Sequence, residues 1–278
     1  MPKTIVITGG TSGIGEVAAV ELAKRGARIV VVARDPARAG MSLSKLRQAN
    51  PSAGHTAHIA DLSKLYEMRR VAREIASAAP EIDVLVNNAG ALFNTRQVTE
   101  DGLEKTFAVN HMAYFVLTNM LLSNLKPGAR IVSTASDAHR GARLDFDDLQ
   151  SAKKYSGFAV YGRSKLGNIL FNREIARRIE GSGVTANCLH PGFVATRFGD
   201  QSGGIVSVAV KIAKPIGAIS PEEGAKTIVY LASSPEVEGR SGGYYYKNKL
   251  ATPTSEAQND ADAKRLWDVS AQLSGMNA

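Results

Sequence analysis

Cysteine occurs once in the 278 residues, at Cys188, which excludes an intrachain disulfide and leads us to expect a reducing compartment. Long apolar runs are also missing. Ile29 to Ala33 is among the longest, with five residues, against the roughly 18 that mark a membrane-spanning helix. No transmembrane segment is expected. Met1-Pro2-Lys3 leads straight into a strand-like stretch, so no signal peptide is expected and the expected location is cytoplasmic. No Pro/Ser-rich linker, internal repeat or low-complexity block divides the chain, so a single domain over 1–278 is expected. No His/Cys/Asp/Glu grouping has metal-ligand spacing, so no metal is expected.

Positive charge is in excess. Thirty-four basic against 26 acidic residues give +8 and a pI near 9.6, which raises the question of a nucleic-acid partner. The denser groups, Arg69 to Arg73 and Arg173 to Arg178, are interleaved with Glu67, Glu74, Glu174 and Glu180 in helix-patterned stretches. They read as solvated helix faces, and no nucleic-acid partner is expected. The apolar share of 44% against 22% charged excludes wholesale disorder.

Short β-branched runs alternate with longer amphipathic stretches. The expected strands are Thr4 to Thr8, Arg28 to Ala33, His55 to Ala60, Asp83 to Asn87, Arg130 to Ala135, Val184 to Leu189 and Gly243 to Tyr246. The first six are continuous apolar runs, the pattern of parallel strands buried on both faces. Helical spacing covers Ile14 to Arg25, Leu65 to Ala79 (with Ser63 as cap), Leu103 to Leu125, Tyr161 to Ile179, Glu222 to Ala232 (opened by Ser220-Pro221) and Glu256 to Leu273. This alternation predicts a doubly wound α/β domain, a parallel sheet of about seven strands with helices on both faces.

The first strand ends in Thr8-Gly9-Gly10-Thr11-Ser12-Gly13-Ile14-Gly15, and a helix follows directly. Glycines there let backbone N–H groups approach a diphosphate, and the helix N-terminus adds its positive end. The spacing resembles the fingerprint of the short-chain dehydrogenase/reductase family, which implies a Rossmann-type fold and a nicotinamide dinucleotide held by Gly9, Thr11, Ser12, Gly13, Ile14 and Gly15. The second strand ends in Ala33-Arg34-Asp35, with Arg38 one turn further on. A guanidinium pairs with a 2′-phosphate where a carboxylate would repel it, so NADP(H) is expected in preference to NAD(H), with Asp35 the residue that speaks against it. In the family, the residues matching Asp61 and Leu62 contact the adenine. Asp61 is equally placed to cap the next helix. Asn87-Asn88-Ala89-Gly90 matches the family's Asn-Asn-Ala-Gly motif, which places Asn88, Ala89 and Gly90 beside the adenine ribose.

Two Tyr-x₃-Lys pairs occur, Tyr161/Lys165 and Tyr245/Lys249. The first lies in a helical pattern, where i and i+4 are neighbours. The second lies in a strand or loop, where the two residues stand about 13 Å apart along a strand, and is read as structural. A carbonyl that receives hydride needs a proton. A tyrosine with its usual pKa near 10 is a poor partner at pH 7 unless an adjacent ammonium lowers it. Lys165 is expected to do so and to hold the nicotinamide ribose. Ser133 and Ser136 both precede Tyr161. Ser136-Asp137-Ala138-His139 resembles the Ser-x-Ala-His of the family's retinol-dehydrogenase-like branch, which also carries an insert like 137–157, so Ser136 is taken as catalytic. Asn110 matches the family's helix asparagine that anchors a relay water near the lysine. His190-Pro191-Gly192-Phe193-Val194-Ala195-Thr196 resembles the stretch that wraps the nicotinamide, implying roles for Pro191, Gly192, Val194 and Thr196. His190 itself is read as structural.

The expected function is therefore carbonyl/alcohol interconversion with NADP(H), Tyr161, Lys165, Ser136 and Asn110 being catalytic. The rival is a non-catalytic dinucleotide-binding regulator of the same fold, against which the intact tetrad argues. A lid is expected around 193–219, and its many apolar residues, such as Phe198, Ile205 and Ile212, imply a lipophilic aldehyde, ketone or alcohol as substrate. The long apolar helices Leu103 to Leu125 and Tyr161 to Ile179 imply a homo-oligomer, since relatives pair through them.

Overall fold

The computed structural model describes residues 2–193 and 219–276. One sheet runs in the order β3-β2-β1-β4-β5-β6-β7-β8. Its strands are β1 (Thr4–Thr8), β2 (Arg28–Ala33), β3 (Thr56–Ile59), β4 (Ile82–Asn87), β5 (Leu125–Thr134), β6 (Thr185–Leu189), β7 (Tyr244–Tyr246) and β8 (Lys249–Ala251). The first seven are parallel. β8 folds back antiparallel on β7, an eighth strand beyond the expected seven.

Successive residues along a strand point to opposite faces. Ile5 and Ile7 of β1 join one core with Ala18, Leu22 and Ile228, while Val6 joins the other with Met68, Phe115 and Phe171. Helices therefore cover both sides. On the first lie α1 (Gly13–Lys24), α2 (Pro36–Ala49) and α7 (Pro221–Ser233). On the second lie α3 (Leu65–Ala78), α4 (Lys105–Phe107), α5 (Ala113–Leu121), α6 (Gly157–Arg178) and α8 (Asp260–Ser274). Ser220 caps α7 by accepting from the Glu223 amide, as expected.

Several expectations are corrected. Ser63 does not cap α3; Asp101 Oδ2 accepts from the Leu65 amide at 2.8 Å, because Asp61 Oδ1 has already folded Ser63 into its own turn. The helix expected over Leu103 to Leu125 runs from Lys105 to Asn124 but is irregular. A π-helical turn, Ala108–Met112, separates α4 from α5, and β5 already begins at Leu125. Tyr245 and Lys249 do not share a strand. Lys247 and Asn248, both at positive φ (49° and 62°), form the two-residue turn that puts them on opposite arms of a hairpin.

Within the chain, α8 packs along α6 and reaches α5 through Trp267. The Trp267 ring stacks parallel on Phe171 at 5.9 Å and meets Phe115 edge-on at 4.8 Å, and the Arg178 guanidinium lies over the ring at 4.3 Å. Arg173 and Arg177 both reach Asp260 at the start of α8. The lid expectation falls almost wholly in 194–218, outside the described residues. No helix among the described residues is long and apolar enough to cross a membrane.

Candidate active site

All the described sequence-derived site residues lie at the carboxyl ends of the strands or on the helices that follow, where ligands bind in open α/β sheets. The glycine turn joins β1 to α1. Gly9 and Gly13 have φ of +69° and +54°, which only glycine adopts readily. A methyl on Gly15 would strike the Gly9 carbonyl and Asn88 Nδ2. The first turn of α1 is thus pressed against the turn before it, and the Ser12 side chain makes no capping hydrogen bond to its amides. Thr11 and Ile14 are half-buried in the same turn.

Asn88-Ala89-Gly90 is clamped to this turn. Thr8 Oγ1 accepts from the Asn88 and Ala89 amides, both at 2.9 Å, and Asn88 Nδ2 donates to the Thr8 carbonyl at 3.1 Å. Thr8 was not singled out in the sequence, although it opens the glycine motif. Arg34 is exposed directly after β2 and forms no ion pair among the described residues. Asp61 and Leu62 follow β3, and Pro191 and Gly192 follow β6. Val194 and Thr196 lie outside the described residues.

The structure brings Ser136, Tyr161, Lys165 and Asn110 to one place. Tyr161 and Lys165 stand one turn apart on α6, with Nζ 5.6 Å from the phenol ring's centre. Ser136 and Tyr161 share a side-chain hydrogen bond. Ser133 lies inside the sheet, paired with Asn87 and Cys188, and its Oγ has no partner among the described residues. Of the two serines, Ser136 is the one bonded to Tyr161.

Burial pushes the Tyr161 hydroxyl up to about 12, against the downward pull of its bond to Ser136. It pushes the Lys165 ammonium down to about 7. The lowering of Tyr161 by Lys165 expected from the sequence is therefore not what the geometry produces. Lys165 Nζ instead donates to the Thr134 carbonyl at 2.9 Å. That carbonyl also accepts from Asn168 Nδ2 (3.3 Å) and the Tyr114 hydroxyl (3.4 Å). The sequence reading missed Thr134, Tyr114 and Asn168; a polar residue three places after Lys165 on the same helix face was the available signal.

Asn110 sits in the π-helical turn, fully buried. Its Oδ1 accepts from the Ala91 amide at 2.7 Å, and Nδ2 donates to the Ala91 carbonyl and to Ser164 Oγ, both at 2.9 Å. Both amide hydrogens are committed, so the side chain braces the loop after Gly90. A Cβ on Gly90 would lie 3.4 Å from both Asn110 Oδ1 and Lys165 Nζ, an ordinary contact distance, so Gly90 lies directly over these two groups. His190 is structural, as read. Its Nδ1 accepts from the Gly192 amide, its ring stacks on Tyr246 at 4.0 Å, and burial holds it down to about 4. Among the described residues, no group of three His, Cys, Asp or Glu is placed to hold a metal ion.

Comparisons with known proteins agree with this geometry. A family model for short chain dehydrogenases matches residues 3–203. The human protein named retinol dehydrogenase 14 is 40% identical over 295 residues, covering 99% of this chain and 87% of its own length. An uncharacterized protein from Mycobacterium Paratuberculosis superimposes with a TM-score of 0.80 at 29% identity, covering 100% of this chain and 96% of that one. A short chain dehydrogenase from Burkholderia cenocepacia, solved in complex with NADP, gives a TM-score of 0.70 at 26% identity, over 87% of this chain and 94% of its own. The chain belongs to the short-chain dehydrogenase/reductase family, in its retinol-dehydrogenase-like branch.

Proposed function

We propose that this oxidoreductase interconverts a lipophilic aldehyde or ketone with its alcohol, using NADP(H) in preference to NAD(H) and Tyr161 as acid and base. The observation that carries the proposal is the Tyr161 hydroxyl, bonded to Ser136 and held protonated by burial, one helical turn from a buried lysine. A protonated phenol is what carbonyl reduction requires.

The residues present fit a nicotinamide dinucleotide. The closely packed Gly9–Gly15 turn, the uncapped start of the 12-residue helix α1 and the exposed Arg34 suit a diphosphate and a 2′-phosphate. The bound dinucleotide would supply hydride; the chain supplies the proton and its alignment. Tyr161 gives its proton to the substrate oxygen, Ser136 orients that oxygen, and Lys165, near neutrality and tied to Thr134, can return a proton to the phenol. Asn110 braces the floor beside Lys165.

The NADP complex of the Burkholderia relative supports the cofactor preference. The retinol dehydrogenases named among the relatives support the substrate class, as do exposed Phe158 (62%), one turn before Tyr161, and exposed Phe193 (51%). A lid over 193–219 and a cytoplasmic location belong to the same proposal. The test is NADPH-linked turnover of an aldehyde series. Each buried methylene adds up to about 0.8 kcal/mol, so kcat/KM should climb with chain length before levelling. A flat series, or preference for a polyhydroxylated or carboxylated carbonyl, would overturn the lipophilic reading.

A further inference from the structure

Ser136 is held from behind by a buried histidine. His139 is fully buried in the short 3-10 turn Asp137–His139 that follows the serine. Its Nδ1 lies 2.7 Å from the Ser136 carbonyl oxygen, and its Nε2 lies 3.3 Å from the Thr254 amide nitrogen. A carbonyl oxygen only accepts and an amide nitrogen only donates, so both contacts are hydrogen bonds in one tautomer alone, with the proton on Nδ1 and Nε2 bare. Burial keeps the ring below the usual imidazole range and hence neutral at pH 7.

The surroundings hold the ring in place. Its face meets Tyr244 at 5.4 Å with the planes 69° apart, and Tyr244 stacks in turn on His190. The Ser136 carbonyl also accepts from the His139 amide at 3.2 Å. The main chain of Ser136 is thereby fixed twice, while its Oγ faces the Ala138 amide and Tyr161.

Resting on the reaction proposed above, we infer that His139 is a positioning residue: its Nδ1–H, locked by the Thr254 amide, sets the backbone of Ser136 so that Oγ meets Tyr161. The strut joins the serine loop to the C-terminal segment after β8, two stretches 115 residues apart in sequence. A misplacement of about 1 Å at a reacting group can lower turnover about 100-fold, which gives such a strut its leverage.

The test uses two half-replacements. Asparagine places an N–H where Nδ1 is and cannot reach Thr254. Glutamine reaches Thr254 and leaves the Ser136 carbonyl without its side-chain donor. His139→Gln should lower kcat about 10- to 100-fold with NADPH affinity unchanged, and His139→Asn should restore kcat to within about threefold of the parent. Equal losses in both variants, or a glutamine variant as active as the parent, would overturn the inference. Nitrogen-15 NMR of the parent's His139 ring reads the tautomer without any variant; a proton on Nε2 and a bare Nδ1 would overturn it as well. Tyr161→Phe in the same assay separates the two readings. Inactive Tyr161→Phe beside fully active His139→Gln removes the strut and leaves the reaction. Fully active Tyr161→Phe removes the reaction, and the strut's catalytic role with it.

Discussion

Asp35 and Arg38 engage each other at the start of α2. Asp35 Oδ1 accepts from the Arg38 amide at 3.3 Å and from the Ala37 amide at 2.9 Å, while Oδ2 lies 3.6 Å from Arg38 Nε. The carboxylate that argued against a 2′-phosphate is thus occupied as a helix cap and ion-paired. Arg34 is left as the exposed cation after β2.

Arg34→Ala is therefore expected to raise the Kd for NADPH about 10- to 100-fold, the scale of a lost charged hydrogen bond, and to leave NADH nearly unchanged. Fluorescence titration with both cofactors checks it. Equal losses would remove Arg34 from the cofactor site.

Tyr161→Phe should keep the fold and cofactor binding and lower turnover about 10²–10⁴-fold. Ser136→Ala should be severe and Ser133→Ala mild, because Ser133 is buried between strands with no partner for its hydroxyl among the described residues, whereas Ser136 is bonded to Tyr161. Steady-state kinetics of the three variants decides, and the reverse order of the serines would show Ser133 to be the working residue.

The buried histidines predict acid sensitivity. His111 is held down to about 3 and His190 to about 4, in both cases chiefly by burial. The unfolded chain binds their protons near pH 6.5, before the folded chain does. Stability is therefore complete above pH 6.5 and falls as pH drops toward 4, by up to about 1.4 kcal/mol per pH unit for each ring. Urea melts from pH 7 to 4.5 measure the slope, which His111→Gln should make shallower. A profile without slope would contradict it.

Trp267→Ala removes the ring that covers Phe115 and Phe171. A loss of about 3–5 kcal/mol is expected. Light scattering at micromolar concentration tests the homo-oligomer that the long apolar helices imply; a monomeric mass would remove the support for it.

β1 and β2 were legible to the residue, because β-branched runs buried on both faces leave no ambiguity of period. The Tyr161/Lys165 spacing and the glycine turn were legible because their chemistry depends on side chains or on missing ones. The anchor for Lys165 was not, since it is a backbone carbonyl, that of Thr134, and carries no side-chain signature. The π-helical turn at Ala108–Met112 was hidden because one extra residue shifts the helix phase without ending the helical pattern. β8 was hidden by its length and by a Lys-Asn turn in place of a glycine-bearing one.

The sheet ends on short strands, the four residues of β3 on one side and the three of β8 on the other. An exposed strand edge is a template on which a second chain can add its own backbone, the first step of aggregation. Here the hairpin turn replaces a possible edge at β7, buried and rich in tyrosine, with a stub bearing the exposed charge of Lys249. A chain with one apolar core on each face of its sheet thereby offers little edge for another molecule to extend.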